Sequence, residues 1–318
     1  MSTLFDRLTE GARERELMAR VRSRAFAPDE LAKHCLPFFL KVQIQTVSTC
    51  NAACPMCGWA LTKGVQPQGR MADVVYRTIV EQLRGRGVER TSLYMENEPL
   101  LDRDLAARTA YLKQCVPETT AVIFTNGLLL DGHRALELHD AGMDEIVISV
   151  VGFQRPAYER YMAGLDFERA MRNLDAVAHL ERAGRLRGTT IKIVSLDLPG
   201  AQDGMTAFAQ RTGFAPMVKP VTNRAGLIDL HALGMSSVAE DSFQACQRPF
   251  VKAYILYNGD LVLCNCDWQR TTIIGNVMEH TLEQLWLSPR LMEIRRHHLA
   301  GRLPADSLCA KCDYPYLP

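Results

Sequence analysis

Lys41-Val42-Gln43-Ile44-Gln45-Thr46-Val47-Ser48-Thr49-Cys50-Asn51-Ala52-Ala53-Cys54-Pro55-Met56-Cys57 is the stretch that decides how this chain is read. Lys41 to Val47 alternates as a half-buried strand does. The next ten residues then gather three cysteines on one tight loop. Thiolates at this spacing can hold three corners of a four-iron four-sulfur (4Fe-4S) cube and leave the fourth iron without a protein ligand. An open iron can bind a substrate. The alternative from the residues alone is a zinc knuckle. Structural zinc usually shows paired CxxC or a nearby histidine, and the chain has no histidine between His34 and His133.

Downstream, the strand, loop and helix pattern repeats. Strands are expected at Lys41 to Val47, Arg90 to Met95, Thr120 to Phe124, Glu145 to Val150, Thr189 to Val194 and Pro216 to Lys219. Helices are expected at Ala72 to Arg84, Arg103 to Cys115, Arg134 to Ala141, Phe167 to Ala183 and Gln202 to Thr212, with apolar residues at spacings of three and four, as in Val75, Ile79 and Leu83. Six strands alternating with helices imply a parallel sheet with right-handed crossovers, and a six-unit partial (β/α) barrel fits the count. Reactive groups in such barrels sit on loops after the strands, where the Cys50 loop falls. The alternation stops after Asn223-Arg224-Ala225-Gly226. The expected organisation is an N-terminal helical extension (1–40), a barrel (41–227) and a small C-terminal domain (228–318). The extension, with apolar positions Leu4, Leu8, Met18, Val21 and Phe26, is expected to pack outside the barrel.

The CxxxCxxC loop after a first strand resembles the radical S-adenosylmethionine (SAM) superfamily. That resemblance implies an α/β fold built on a partial (β/α)6 TIM-like barrel, and a SAM-binding 4Fe-4S cluster on Cys50, Cys54 and Cys57. It also implies cleavage of SAM to a 5′-deoxyadenosyl radical that abstracts hydrogen from an unactivated carbon, the cofactor supplying the hard step. Glu96-Asn97-Glu98-Pro99 stands where the family usually has Gly-Gly-Glu-Pro, so Glu98 and Asn97 are implied contacts to SAM, with glutamate and asparagine in place of two glycines. Asn126, in Thr125-Asn126-Gly127, and Ser149, at the end of the fourth strand, match positions of polar contacts to SAM. Met56 sits where relatives carry an aromatic residue near the adenine, and a thioether gives a similar apolar contact. From the residues alone, Glu-Pro, Asn-Gly and a strand-end serine are also ordinary turn features.

A second group comprises Cys246 in Cys246-Gln-Arg-Pro-Phe, Cys264 after Asn258-Gly259-Asp260, and Cys309-Ala-Lys-Cys312. It resembles the SPASM/twitch C-terminal domain of radical SAM enzymes. The resemblance implies one auxiliary 4Fe-4S cluster on these four thiolates; four cysteines in two groups equally suit a zinc ribbon. Asn258-Gly259 reads as the turn of a hairpin. Cys266 is left over, as an alternative ligand, a catalytic hydrogen-atom donor or a buried thiol. Cys35 and Cys115 read as core residues, and Arg295 to His298 as a solvated helix face. Arg155, Tyr158, Arg160, Lys219, Asn223 and Arg224 follow strands four and six and are candidates for the barrel mouth.

The 318 residues carry 37 basic and 36 acidic side chains, a balance that suggests no nucleic-acid or membrane partner. No apolar run reaches the ~18 to 20 residues of a membrane span, and the N-terminus is not a signal peptide. Ten cysteines in short-spaced groups suit metal-bound thiolates in a reducing, cytoplasmic location. The expected cofactors are SAM and two 4Fe-4S clusters, with an external electron donor such as a flavodoxin or ferredoxin. The expected substrate is a polar small molecule, such as a sugar, aminocyclitol or nucleoside-like metabolite. It would be oxidised, epimerised or decarboxylated. A small molecule is preferred to a peptide because peptide-modifying relatives often carry a leader-binding domain, and the segment before Lys41 looks too short for one. The alternatives are a maturase of a ribosomally made peptide and a non-enzymatic structural zinc protein.

Overall fold

The computed structural model describes residues 11–235 and 243–314; Leu4 and Leu8 lie outside them. All six expected parallel strands are present: β1 (Lys41–Ile44), β2 (Arg90–Ser92), β3 (Thr120–Thr125), β4 (Glu145–Ser149), β5 (Thr190–Leu196) and β6 (Met217–Lys219). Helices Asp73–Leu83, Leu105–Cys115, Gly132–Asp140, Phe167–Arg182 and Met205–Thr212 connect them. Three further strands, β7 (Lys252–Ile255), β8 (Asp260–Val262) and β9 (Ile273–Asn276), follow in the C-terminal part.

The nine strands form one open sheet, ordered β6-β5-β4-β3-β2-β1-β7-β8-β9. β7 lies parallel to β1, pairing Lys41 with Lys252 through Ile44 with Ile255. β8 and β9 continue antiparallel. The C-terminal part therefore extends the barrel sheet instead of standing beside it.

Strand alternation separates two faces. Outward residues such as Val42, Ile44, Ile123, Ile146 and Ile193 join the helices in the main core. Inward residues Val122, Val147 and Val194 form a small second core. The same inward rows continue to Gln43, Tyr94, Phe124, Ser149 and Leu196, which line a cavity. At the start of the inward rows Glu145 accepts from Arg90 at 2.7 Å and pairs with Lys192 at 3.0 Å, a charged floor beneath the valines.

Two expectations change. The N-terminal segment does not simply coat the barrel. Leu17, Met18, Val21, Phe26 and Leu31 pack with Phe250, Val251, Met292 and Leu299 of the C-terminal part, and Glu14 pairs with Lys41. Nor is all of Arg295 to His298 a solvated face: Arg296 is exposed and His297 partly so, but Arg295 and His298 turn inward. Arg295 is buried, donates to the carbonyls of Pro249 (2.7 Å) and Trp286 (2.9 Å), and lies 4.0 Å from the Trp286 ring. His298 is buried against Phe243 and Phe250, and burial pushes its pKa down to about 4. A charged helix looks solvated only until another segment covers it. Cys115 is in the core, as expected, and Cys35 packs half-buried beside the N-terminal cluster.

Burial pushes the Glu145 carboxyl up, but the hydrogen bonds and charges of Arg90 and Lys192 outweigh it and hold the pKa below its ordinary 4.5. A depressed folded pKa contributes stability that is present above the unfolded value and lost as pH falls through the folded one. Glu145→Gln is expected to cost about 1 to 2 kcal/mol at neutral pH. Urea unfolding should show that gap closing as pH drops below 4.5; a gap independent of pH would contradict the floor's ionic character.

Candidate functional site

The cysteine loop is held on every side. Gln45 N–H donates to Ile255 O (2.9 Å), Ser48 N–H to Gly69 O (2.9 Å), Ala53 N–H to Ala163 O (2.7 Å) and Glu98 N–H to Thr49 O (3.0 Å). Asn126 Nδ2 donates to Asn51 Oδ1 at 2.7 Å. Gly58, directly after Cys57, has no room for a side chain, because a Cβ there would collide with the Trp268 indole. That contact seams the first cysteine loop to the segment carrying Cys264 and Cys266.

Burial raises all three thiols, Cys50 to about 12. The negative charges of Glu98 and Cys57 add to the rise at Cys50, and Cys57 and Cys50 do the same at Cys54. Grouped, desolvated thiols favour thiolate only when a positive centre arrives, as metal binding provides. The three side chains therefore fit a bound iron-sulfur core.

The acidic residues divide differently from the motif reading. Both Glu98 oxygens are occupied within the protein: Oε1 accepts from Leu100 N–H (3.0 Å) and Thr125 Oγ1–H (2.6 Å), and Oε2 from Asn126 N–H (2.8 Å). Burial still pushes its pKa to about 7, against those three hydrogen bonds. Glu98 is a clamp between the loops after β2 and β3 and is not among the cavity-lining residues. Asn126 shares that clamp and Met56 is buried in the core cluster, so neither lines the cavity. Asn97 and Ser149 do line it, together with Cys50, Cys57 and Glu96.

This cavity measures about 360 Å3 and is walled on its far side by Arg224, Arg248, Lys252, Tyr254, Asn265 and Trp268. Its size lies within the ~300 to 1,000 Å3 of small-molecule sites. Of the candidates for the barrel mouth, Lys219 and Arg224 reach it. Arg155 instead pairs at the surface with Glu159 and Glu168, Tyr158 is buried, and Asn223 is bonded to Asp313 and Lys311. Arg224 and Ala225 have positive φ (49° and 58°), a strain of order 1 kcal/mol each in non-glycine residues that bends the chain from β6 toward the final cysteine pair. Sequence reasoning did not single out Gln43, Tyr94, Lys252 or Tyr254. Their signal was the strand alternation itself, which places them on the inward face.

Cys246, Cys264, Cys309 and Cys312 line a second, smaller cavity with Arg248 and His298, so the structure brings together the four residues expected to act as one set. Burial raises Cys246, and Cys309 to about 12. Arg248 lines both cavities and donates to Cys266 Sγ at 3.0 Å. Cys266 is buried and hydrogen-bonded to Cys264 and Cys312, which with Arg248 hold its thiol well below the usual range. It does not line the large cavity. The Asp267 carboxylate fixes the following turn through Thr271 and Thr272 N–H. Among the described residues no three His, Cys, Asp or Glu converge closely enough for a single metal ion.

Comparison with known proteins agrees with this arrangement. Residues 44–194 match the family model of the radical SAM superfamily, and residues 246–313 match SPASM, the iron-sulfur cluster-binding domain. The chain belongs to the radical SAM superfamily and carries a SPASM domain; it is an enzyme that uses SAM and iron-sulfur clusters. The structural zinc reading is thereby set aside. The chain is 21% identical to the S-adenosyl-L-methionine-dependent 2-deoxy-scyllo-inosamine dehydrogenase of Niallia circulans, over 86% of this chain and 93% of that one. Its fold resembles the crystal structure of BtrN in complex with AdoMet and 2-DOIA (TM-score 0.58, 19% identity, 87% and 93% covered). It also resembles Streptococcus suis SuiB bound to precursor peptide SuiA (TM-score 0.64, 16% identity, 95% and 74% covered). Among the described residues no helix is long and apolar enough to cross a membrane.

Anaerobically reconstituted protein is expected to hold about eight iron and eight sulfide per chain. Replacing Cys50, Cys54 and Cys57 with alanine should leave about four of each, by metal and sulfide analysis. A variant that kept its full iron content would contradict the assignment.

Proposed function

We propose that the enzyme oxidises a secondary hydroxyl of a polar cyclic small molecule, an aminocyclitol or amino sugar, to a carbonyl. The observation that carries this reading is the end-to-end similarity to an aminocyclitol dehydrogenase, which spans the barrel and the SPASM domain alike. When bound, SAM and the clusters would supply a 5′-deoxyadenosyl radical able to take the carbinol hydrogen atom and an acceptor for the electron that, with the hydroxyl proton released to solvent, leaves as the carbonyl forms.

In this reading residues 41–227 form the radical-generating unit, 228–318 the auxiliary-cluster unit, and the described part of 1–40 braces the two. Cys50, Cys54 and Cys57 would hold the SAM-binding cluster, and Cys246, Cys264, Cys309 and Cys312 the auxiliary one. Asn97 and Ser149 would meet SAM at the cavity wall, while Glu98, Asn126 and Met56 shape the loops beneath it. Tyr94, Phe124 and Tyr254 present ring surface, and Lys219, Arg224 and Arg248 present cations toward substrate hydroxyls. The enclosing walls keep water from a reactive intermediate. An external donor such as a flavodoxin or ferredoxin, in a reducing cytoplasm, would supply the starting electron.

Anaerobic incubation with SAM, reductant and a panel of cyclitols and amino sugars that includes 2-deoxy-scyllo-inosamine tests this. The expected result is 5′-deoxyadenosine above the no-substrate level, matched one to one by a carbonyl product. A response to short peptides alone would favour the peptide-maturase reading and overturn this one.

A further inference from the structure

Among the described residues, Arg248 alone lines both cavities. In the smaller one the rest of the wall is the four thiols, apolar side chains and His298, which burial keeps neutral at neutral pH by pushing its pKa down to about 4. Thiols apart, Arg248 is the one charged group there. Its Nη1 donates to Cys266 Sγ at 3.0 Å, its guanidinium carbon lies 3.9 Å from the centre of the Tyr314 ring, and among the described residues it forms no ion pair. The carboxylates beside the set do not answer it: Asp267 accepts from Thr271 and Thr272 N–H, and Asp313 from Asn223 N–H. A guanidinium withdrawn from water without a carboxylate beside it costs free energy. A negatively charged group in the adjoining cavity offsets that cost, and the charge of Arg248 acts on Cys246, Cys264, Cys309 and Cys312 alike.

We propose that Arg248 raises the reduction potential of the auxiliary cluster on Cys246, Cys264, Cys309 and Cys312, and so fits that cluster to accept an electron from a molecule in the large cavity. Reduction adds one negative charge to the cluster. A positive charge fixed in the same wall, where little water screens it, stabilises the reduced form more than the oxidised one. The shared position gives the residue a second consequence, since the charge lies on the boundary that an electron leaving the large cavity must cross. The acceptor role rests on the functional reading above. The effect on the potential does not, because it follows from the charge and its place.

The test is a potentiometric titration of the reconstituted two-cluster protein, followed by electron paramagnetic resonance, with the protein lacking Cys50, Cys54 and Cys57 identifying the auxiliary signal. R248M is expected to shift the reduction equilibrium of that cluster roughly 10- to 100-fold toward the oxidised form, at ~59 mV per tenfold for a one-electron couple. R248K keeps the charge and loses the planar fork, so it should stay within about threefold of wild type. C266A removes the bonded sulfur and leaves the guanidinium, so its potential should not fall. Unchanged iron and sulfide content shows that each variant holds both clusters. If R248M titrates with wild type, or if R248K or C266A falls as far as R248M, the proposal is wrong. If R248M does not hold the cluster, R248Q repeats the measurement; loss of the cluster in both neutral variants would make Arg248 a structural clamp and overturn the tuning role. A potential that falls in R248M, while no cyclitol or amino sugar raises 5′-deoxyadenosine with wild-type protein, would sink the aminocyclitol reading and leave the role of Arg248 standing.

Discussion

The parallel pairing of β7 with β1 is the constraint on which the rest of this molecule depends. β1 delivers the Cys50 loop, and the segments on either side of β7 deliver Cys246 and Cys264. Four residues in register, Lys41 with Lys252 through Ile44 with Ile255, therefore place two distant groups of thiols on adjoining cavities. The hydrogen bond from Gln45 N–H to Ile255 O extends the pairing into the loop, and Trp268 against Gly58 closes the seam. Arg248, which begins the helix leading into β7, lines both cavities. Joining the C-terminal part to the sheet makes its position relative to the barrel a matter of backbone geometry, with no dependence on a flexible linker.

Around that frame the polar groups are sorted by whether the protein satisfies them. Glu98, Asn126, Asn223, Asp267 and Asp313 hold loops through short hydrogen bonds to backbone groups. Glu96 and the Nε of Arg224 have buried atoms that no described residue satisfies. Buried polar groups are ordinarily hydrogen-bonded, so a site that leaves several unpaired on its walls is built around groups that arrive from outside. The thiols follow the same logic, since burial holds them protonated until a metal-sulfur core compensates the charge.

Much of this was legible in the sequence, for physical reasons that also mark where legibility ends. Period-two alternation and 3.6-residue periodicity gave all six barrel strands and their helices, because each element buries one face. Cysteine spacing gave both thiol sets, and the four C-terminal thiols meet as expected. What could not be read was how remote segments cover one another. Lys252 to Ile255 shows nothing that names β1 as its partner, and Arg295 and His298 look solvated until the N-terminal helices and Phe250 close over them. The two glutamates show another limit. The motif gives residue type but not direction: the backbone leaves the β2 ladder at Ser92, and Glu98 begins a 3-10 turn whose amide it caps. Glu96, which the motif reading did not single out, is the glutamate of the pair that lines the cavity.

The central claim is that the two thiol sets hold separate clusters on adjoining cavities that share Arg248 as a wall. Electron paramagnetic resonance of the fully reduced two-cluster protein tests it most directly, measured against the two variants that each lack one thiol set. The account predicts a spectrum broadened by magnetic interaction between the clusters, one that the sum of the two single-cluster spectra does not reproduce. A spectrum equal to that sum, with each cluster relaxing as it does alone, would contradict it.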